Sequence, residues 1–184
     1  LFRSLVAANN QTLYQFSITP SAGGQLIARG QGTWNSTTSS ASSNSGTTSV
    51  SNLVLYGFTD SAFSSPISGT TNGGVVATYN GGGGVNSGDN KIAISSPLQL
   101  AAGTTYYFKV VGNVSQQAGS SNAAGSVTTY VQGDNTQIGP FVQIGSTVEG
   151  SSKFVWSPNA TTSPTHIGSI DWINGFGIPG LPST

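Results

Sequence analysis

Apolar residues in this chain recur in short alternating runs that are separated by turn residues. The run "SVSNLVLYGF" places Val54, Tyr56 and Phe58 on one face of a strand, and Leu53 and Leu55 on the other face. Further runs of strand character cover residues 14–18, 75–79, 91–94, 104–110, 126–131, 141–144 and 153–156. No segment of useful length has a helical period. The pattern predicts about eight to ten strands, at spacings typical of a β-sandwich.

The segments between and beyond these runs predict the loops, the domain and the terminal segments of the chain. Residues 35–49 and 80–90 are rich in Ser, Thr, Gly and Asn, and we predict that they form long polar loops. We expect residues 1–20 to form an apolar N-terminal segment that can act as an exchanged strand. A sandwich domain then covers residues 21–172, and residues 173–184 form an extended tail rich in Pro and Gly.

The stretch "LQLAAGTTYYFKV" has the spacing of a tyrosine corner. Leu100, Gly103, Thr104 and Tyr106 occupy the matching positions, and Tyr106 is expected to send its hydroxyl back to the upstream backbone. This spacing resembles the E–F corner of fibronectin type III and other immunoglobulin-like domains. The resemblance implies an all-β, immunoglobulin-like Greek-key sandwich with long loops and extra terminal strands. We interpret the stretch itself as framework rather than as a binding site.

A second resemblance covers roughly residues 50–184. It rests on "SNLVLYGFTDSAFSSPIS", "AAGTTYYFKVVGNV", and the closing segments "FVWSPN" and "DWINGF". These segments resemble β-sandwich modules in large exported surface proteins of candidate-phyla bacteria. The resemblance implies a cell-surface location and a structural role, and it implies no catalytic residues.

Composition narrows the classes of function. Only 5% of the residues are charged, and five basic residues balance five acidic ones. Nucleic-acid binding requires a basic patch, which is not found here. No run approaches the roughly 20 apolar residues of a membrane-spanning helix. Because Cys and Met are both absent and the chain begins with Leu1, we expect a processed product or trimmed fragment of an extracellular protein.

Catalytic and metal-binding patterns are not apparent. His166 is the only histidine and lies in a turn-like segment. The five acidic residues are scattered, and the two "GDN" sequences are more typical of turns than of calcium loops, which need six to eight oxygen ligands. We therefore predict no enzyme activity, no cofactor and no metal. The final G-x-G-x-x-G match, from Gly175 to Gly180, lacks the following helix of a dinucleotide site.

Two kinds of surface feature remain open. Aromatic residues could form a platform for sugars, which makes a carbohydrate-binding or adhesive surface module the alternative function; these residues are Trp34, Trp156, Trp172, Tyr56, Tyr79, Tyr107 and Tyr130. Four N-x-S/T sequons are candidate glycosylation acceptors if the source organism glycosylates: Asn10, Asn35, Asn113 and Asn159.

The N-terminal segment suggests how copies could join. Leu1, Phe2, Leu5, Val6 and Leu13 precede the first compact turn signal, and an apolar chain end has to be buried somewhere. A neighbour's open sheet edge could receive it as an added strand; the alternative is an ordinary first strand within its own sandwich. We expect the protein to be a non-enzymatic extracellular subunit of a pilus-like filament or surface layer, in which copies of the chain bind one another. In the alternative, the protein binds surface glycans.

Overall fold

The residues that the structure describes form nine strands and no helix. The structure is a computed structural model, and it describes residues 7–21, 26–40, 48–79, 88–116, 125–131, 133–137, 155–157 and 173–181. The strands are β1 (Ala8–Ile18), β2 (Leu26–Ser40), β3 (Thr48–Phe58), β4 (Val75–Tyr79), β5 (Gly88–Leu100), β6 (Tyr106–Gln116), β7 (Gly125–Val131), β8 (Val155–Ser157) and β9 (Ile173–Asn174). The prediction of an all-β protein is confirmed.

The first sheet has four antiparallel strands in the order β1-β6-β3-β4. β6 lies inside this sheet and pairs with β1 on one side and with β3 on the other. Among the described strands, β1 lies at an edge of this sheet, with β6 as its hydrogen-bonded partner. Alternation along β3 follows the predicted pattern, because Leu53 and Leu55 are buried in the core while Val54 and Tyr56 lie on the opposite face.

The second sheet is organised around β2. Its main path has the order β5-β2-β8-β9, and β7 also pairs with β2. β7 pairs with the C-terminal half of β2, from Trp34 to Ser40, and β8 pairs with Ile27 and Ala28 near its start. All of these pairings are antiparallel.

The two sheets share one hydrophobic core. Residues from β3, β4 and β6 of the first sheet pack with Leu98, Leu100 and Val131 of the second sheet. The close approach of β1 to β3 across β6 depends on Gly112. A Cβ at this position would lie 2.9 Å from Leu13 Cδ1 and 2.9 Å from Leu53 Cδ2. The absent side chain therefore makes room for β1 to pack against the core.

Three predicted segments differ from the sequence-based expectations. The predicted loop over residues 35–49 is wrong at both ends, because 35–40 belong to β2 and 48–49 belong to β3. Small hydroxyl residues form strand here because β5 and β7 supply hydrogen-bonding partners on either side of β2. Similarly, 88–90 of the second predicted loop belong to β5. Of the predicted tail, Ile173–Asn174 forms β9, which pairs with β8.

Candidate binding cleft

The predicted tyrosine corner connects β5 to β6. The buried Tyr106 accepts, through its hydroxyl, a hydrogen bond from the backbone N–H of Ala101 at 3.0 Å. Leu100 is fully buried, and Gly103 has a φ of 71°, a left-handed conformation that glycine adopts without strain. The N–H of Gly103 donates to the carbonyl of Pro20 at 2.9 Å. The corner therefore also holds the chain just beyond the end of β1.

One of the predicted interface residues lies in β1. Leu13 is partly buried and packs against the core, as do Tyr14, Phe16 and Ile18 of the same strand. The ring of Phe16 stacks on Phe108 of β6 with a centroid distance of 5.0 Å. In this structure β1 thus closes the first sheet of its own chain. The remaining predicted interface residues lie outside the described part of the chain: Leu1, Phe2, Leu5 and Val6.

The sequons fall in different surroundings. Asn10 is exposed in β1, and Asn113 is half-buried in β6. Asn35 lies within β2 at the backbone level, and Asn159 lies outside the described residues. The Oδ1 atom of Asn113 accepts a hydrogen bond from the backbone N–H of Asn10 at 2.9 Å. The two nearby sequons therefore share one local structure.

A cleft of about 420 Å³ lies on the outer face of the first sheet, away from the core. Its aromatic side chains are Tyr56 and Phe58 of β3, and Phe63 of the loop that follows β3. Phe63 meets the ring of Phe58 edge to face, with centroids 5.6 Å apart. Tyr56 and Phe63 remain half-exposed, so aromatic surface is open to a bound molecule.

Lys109 of β6 extends over this aromatic cluster. Its Nζ atom lies 5.0 Å from the ring centroid of Phe58, 5.4 Å from that of Phe63 and 5.6 Å from that of Tyr56. These distances are in the range of cation–π attraction, which holds the ammonium group at the cleft. Within the described residues, no carboxylate forms an ion pair with Lys109. Among the described residues, the positive charge at the cleft is therefore in contact with ring faces and not with a carboxylate.

The loop that carries Phe63 is held by the carboxylate of Asp60. This carboxylate accepts hydrogen bonds from the backbone N–H groups of Ser65 at 2.6 Å and Ala62 at 2.9 Å, and from the Ser64 hydroxyl at 3.1 Å. Desolvation by itself raises the pKa of Asp60, but the hydrogen bonds from Ser65, Ser64 and Ala62 outweigh it, so the pKa lies below its ordinary value. The loop is consequently tied together by an ionised side chain at neutral pH.

Left-handed backbone occurs at two positions that line the cleft, and it is strained at Phe63. Phe63 has a φ of 56°, and Asn10 has a φ of 57°. Left-handed backbone is unusual for a bulky residue such as Phe and costs roughly 1–3 kcal/mol where the surrounding structure enforces it. Asn10 lies at an irregularity of the β1–β6 register between Ala8 and Gln11. With Thr12 and Ser64, Asn10 supplies neutral polar groups around the aromatic cluster.

A second polar cluster binds the segment that follows β9. The buried Asp134 accepts a hydrogen bond from the N–H of Gly175 at 2.7 Å through its Oδ2 atom. The side-chain amide of the buried Asn174 donates to the carbonyl of Thr136 at 2.7 Å, and Trp156 Nε1 donates to the carbonyl of Asn174 at 3.2 Å. Residues of the "GDN" and "DWINGF" segments thus meet here. This arrangement is structural, because the carboxylate and amide are used by the backbone of the chain itself.

Other sequence-derived candidates are not brought together. His166, Glu149, Asp171 and Trp172 lie outside the described residues, and only the backbone of Asp89 is described. Across the described ranges, no group of three or more His, Cys, Asp or Glu residues could hold a metal ion. The same ranges contain no helix that is long and apolar enough to cross a membrane.

Sequence reasoning identified only one member of the cleft, Tyr56, as a candidate for sugar contact. It missed Phe58, Phe63 and Lys109, because nothing in the sequence shows that the loop after β3 folds back over the sheet. One signal was present: Tyr56 and Phe58 alternate on the face opposite to Leu53 and Leu55. Apolar side chains on both faces of a strand indicate that something covers the second face.

Comparison of the chain with protein-family models, with curated proteins and with solved structures gives no match.

Proposed function

We propose that this protein is a non-enzymatic structural module of an extracellular cell-surface assembly, a pilus-like filament or a surface layer. In this assembly, copies of the chain are joined by exchange of β1. The observation that carries the proposal is the position of β1. Among the described strands it lies at the edge of its sheet, pairs with β6, and packs partly buried apolar side chains against the core. The composition and the resemblance to exported surface modules support the location.

Strand exchange between copies requires little new chemistry. An exchanged strand makes the same backbone hydrogen bonds and core contacts in a neighbour as in its own chain. β1 comes first in the order of the described strands, and exchange would place it beside β6 of a neighbouring copy in the same register. When β1 leaves, it exposes the edge of β6 and the apolar surface that Leu13, Phe16 and Ile18 cover. A strand from a neighbouring copy that binds there regains the backbone hydrogen bonds and the apolar burial.

We further propose that the two sheets form an immunoglobulin-like Greek-key sandwich. The hydrogen bond from Ala101 to Tyr106 supports this, because such corners precede strand F in immunoglobulin-like domains. With β6 as strand F and β3 as strand C, the place usually taken by the last strand, G, is occupied by β1. A terminal strand from the other end of the chain is thus the one that completes this sheet.

The experiment is a cysteine cross-link across the β1–β6 pair. Ser17 and Tyr107 are directly opposed in the register, and the natural chain contains no cysteine that could interfere. The double variant Ser17→Cys, Tyr107→Cys is oxidised under conditions that promote assembly, and the products are separated on a non-reducing gel. Exchange predicts a ladder of covalent trimers and larger species that collapses to monomer on reduction.

The single variants Ser17→Cys and Tyr107→Cys are the matched controls, since neither can form species beyond a dimer. If the double variant forms only the internal bond within one chain, even at concentrations where assemblies are seen by negative-stain microscopy, the exchange proposal is wrong.

A further inference from the structure

We propose that the cleft over Tyr56, Phe58 and Phe63 binds a saccharide that carries a carboxylate, such as a uronic acid unit. The binding site is independent of strand exchange, because a single chain closed by its own β1 already contains every element of the cleft.

The first argument is the strain at Phe63. Four non-glycine residues have positive φ values in the described ranges; three are Asn, which tolerates this conformation, and the bulky exception, Phe63, lines the cleft. Strained residues persist only where surrounding contacts enforce them, and they are concentrated at binding sites. Here, the hydrogen bonds to Asp60 enforce the loop, and the Asn113 side chain holds the N–H of Asn10.

The second argument is the combination of ring faces and neutral polar groups. A pyranose ring has one face made of C–H groups and a rim of hydroxyls. The electron-rich faces of aromatic rings attract weakly positive C–H groups. Tyr56 and Phe63 are partly open for such a contact, while Asn10, Thr12 and Ser64 offer amide and hydroxyl partners for the rim.

The third argument is the charge on Lys109. An ammonium group has three N–H donors, and the ring faces can satisfy only those directed at them. With no ion pair to a carboxylate in the described part of the chain, the remaining donors are available to an anionic ligand. A carboxylate on the sugar supplies the missing partner through a charge-assisted hydrogen bond. The flexible stem of lysine lets the ammonium follow this group while it stays near the rings.

The size and position of the cleft favour a saccharide over an acidic peptide. A volume of about 420 Å³ lies in the usual range for small-molecule sites, about 300–1,000 Å³. The cleft also lies over the face of the sheet, where the backbone groups between β1 and β6 and between β6 and β3 are paired with one another. An extended peptide therefore has no sheet edge to join at this position.

The test is an NMR titration of the monomeric protein with trigalacturonate and, separately, with its methyl ester. The two probes differ in charge while the sugar rings are the same. We expect trigalacturonate to shift the amide resonances of Phe63, Ser64 and Lys109 in a saturable manner. The ester should bind about tenfold more weakly, which corresponds to 1.4 kcal/mol.

Variants at two lysines test whether the positive charge that binds the carboxylate is that of Lys109. Lys109→Met keeps an apolar stem over the rings and should reduce the affinity for trigalacturonate to that for the ester, while Lys109→Arg should retain most of it. Lys91→Met, in β5 of the second sheet, is the control and should bind like the natural protein. Unfolding curves of all variants establish that each is folded before it is titrated.

Three outcomes overturn the proposal. The first is the lack of any saturable shift with trigalacturonate. The second is equal binding of the acid and its ester, which removes the role of Lys109 even if Lys109→Met proves to be unfolded. The third is binding of a tetraglutamate peptide as tight as that of trigalacturonate, which makes the cleft a site for acidic peptides.

Discussion

The two acidic residues whose hydrogen bonds are described, Asp60 and Asp134, show how a chain with few charged residues uses its carboxylates. Both residues accept hydrogen bonds from backbone N–H groups through their carboxylates. A carboxylate that receives such hydrogen bonds organises a loop without needing a countercharge. In a chain with 5% charged residues, the acidic side chains that the structure describes are therefore used for local backbone order.

Tyr106→Phe tests the corner at the residue scale. The substitution leaves the ring in the core and removes the acceptor of the Ala101 N–H. We expect the free energy of unfolding to fall by about 1 kcal/mol, because a partly buried donor loses its partner. The measurement is the denaturation midpoint in urea, and Tyr107→Phe, the neighbouring half-exposed tyrosine, is the control. Equal midpoints for the two variants would show that the hydroxyl of Tyr106 does not stabilise the fold.

The Asp60 loop should respond to acid. The pKa of Asp60 is lowered in the folded state, so its hydrogen bonds stabilise the loop at every pH above the unfolded pKa of about 3.9. This stabilisation is lost as the pH falls through the lower, folded pKa. Amide exchange and chemical shifts of Ala62, Ser64 and Ser65 across this acidic window report the loss. In Asp60→Ala the same amides should lack this transition and be mobile already at neutral pH.

The strands as elements were partly predictable. The alternation of Val54 and Tyr56 with Leu53 and Leu55 gave the correct faces of β3, because both patterns depend on the same period of two. β2 was not among the predicted strands. Its second half is rich in Ser and Thr, and pairing with β5 and β7 makes it a strand. The cleft was missed for a similar reason. It requires contacts between β6 and a loop that lies far away in sequence.

Gly112 controls how closely β1 approaches the core. In Gly112→Ala the added methyl group would meet Leu13 of β1 and Leu53 of β3 at 2.9 Å. We expect a loss of about 1–3 kcal/mol, typical of overpacking in a core. Amide exchange should show that β1 opens more readily than β3. The control is Thr78→Ala on the exposed side of β4, which should be near neutral; protection of β1 unchanged in Gly112→Ala would contradict this view of the packing.

The attachment of β9 depends on Asp134. Asp134→Ala removes the acceptor of the Gly175 N–H and leaves a buried donor unpaired, which costs about 1–3 kcal/mol. We expect residues 173–181 to become susceptible to limited proteolysis while β3 and β6 keep their exchange protection. The exposed neighbour Asn135 offers a matched control in Asn135→Ala. Cleavage at the same rate in both variants would mean that this hydrogen bond does not retain the segment.

At the scale of the whole molecule, the N-terminus should govern assembly. Deleting residues 1–12 removes the first five residues of β1, while Leu13, Phe16 and Ile18 remain available to the core. The exchange proposal predicts folded chains that no longer polymerise, because the shortened strand has lost part of its ladder with β6. Circular dichroism measures the fold, and light scattering with negative-stain microscopy measures assembly. Filaments formed by the truncated chain would contradict strand exchange.

The cleft draws its wall from two parts of the chain, since Asn10 and Thr12 belong to β1 while the aromatic residues and Lys109 belong to β3, its following loop and β6. In an exchanged assembly, each cleft is therefore shared by two copies, and a ligand that fills it contacts both. Thermodynamic linkage then requires that whatever a saccharide gains from β1 also holds β1 more firmly beside β6, in a closed chain and in an exchanged joint alike. Because both forms contain the same cleft, a saturating ligand would leave the ratio of closed chains to polymer unchanged and would slow their interconversion, which requires β1 to leave β6.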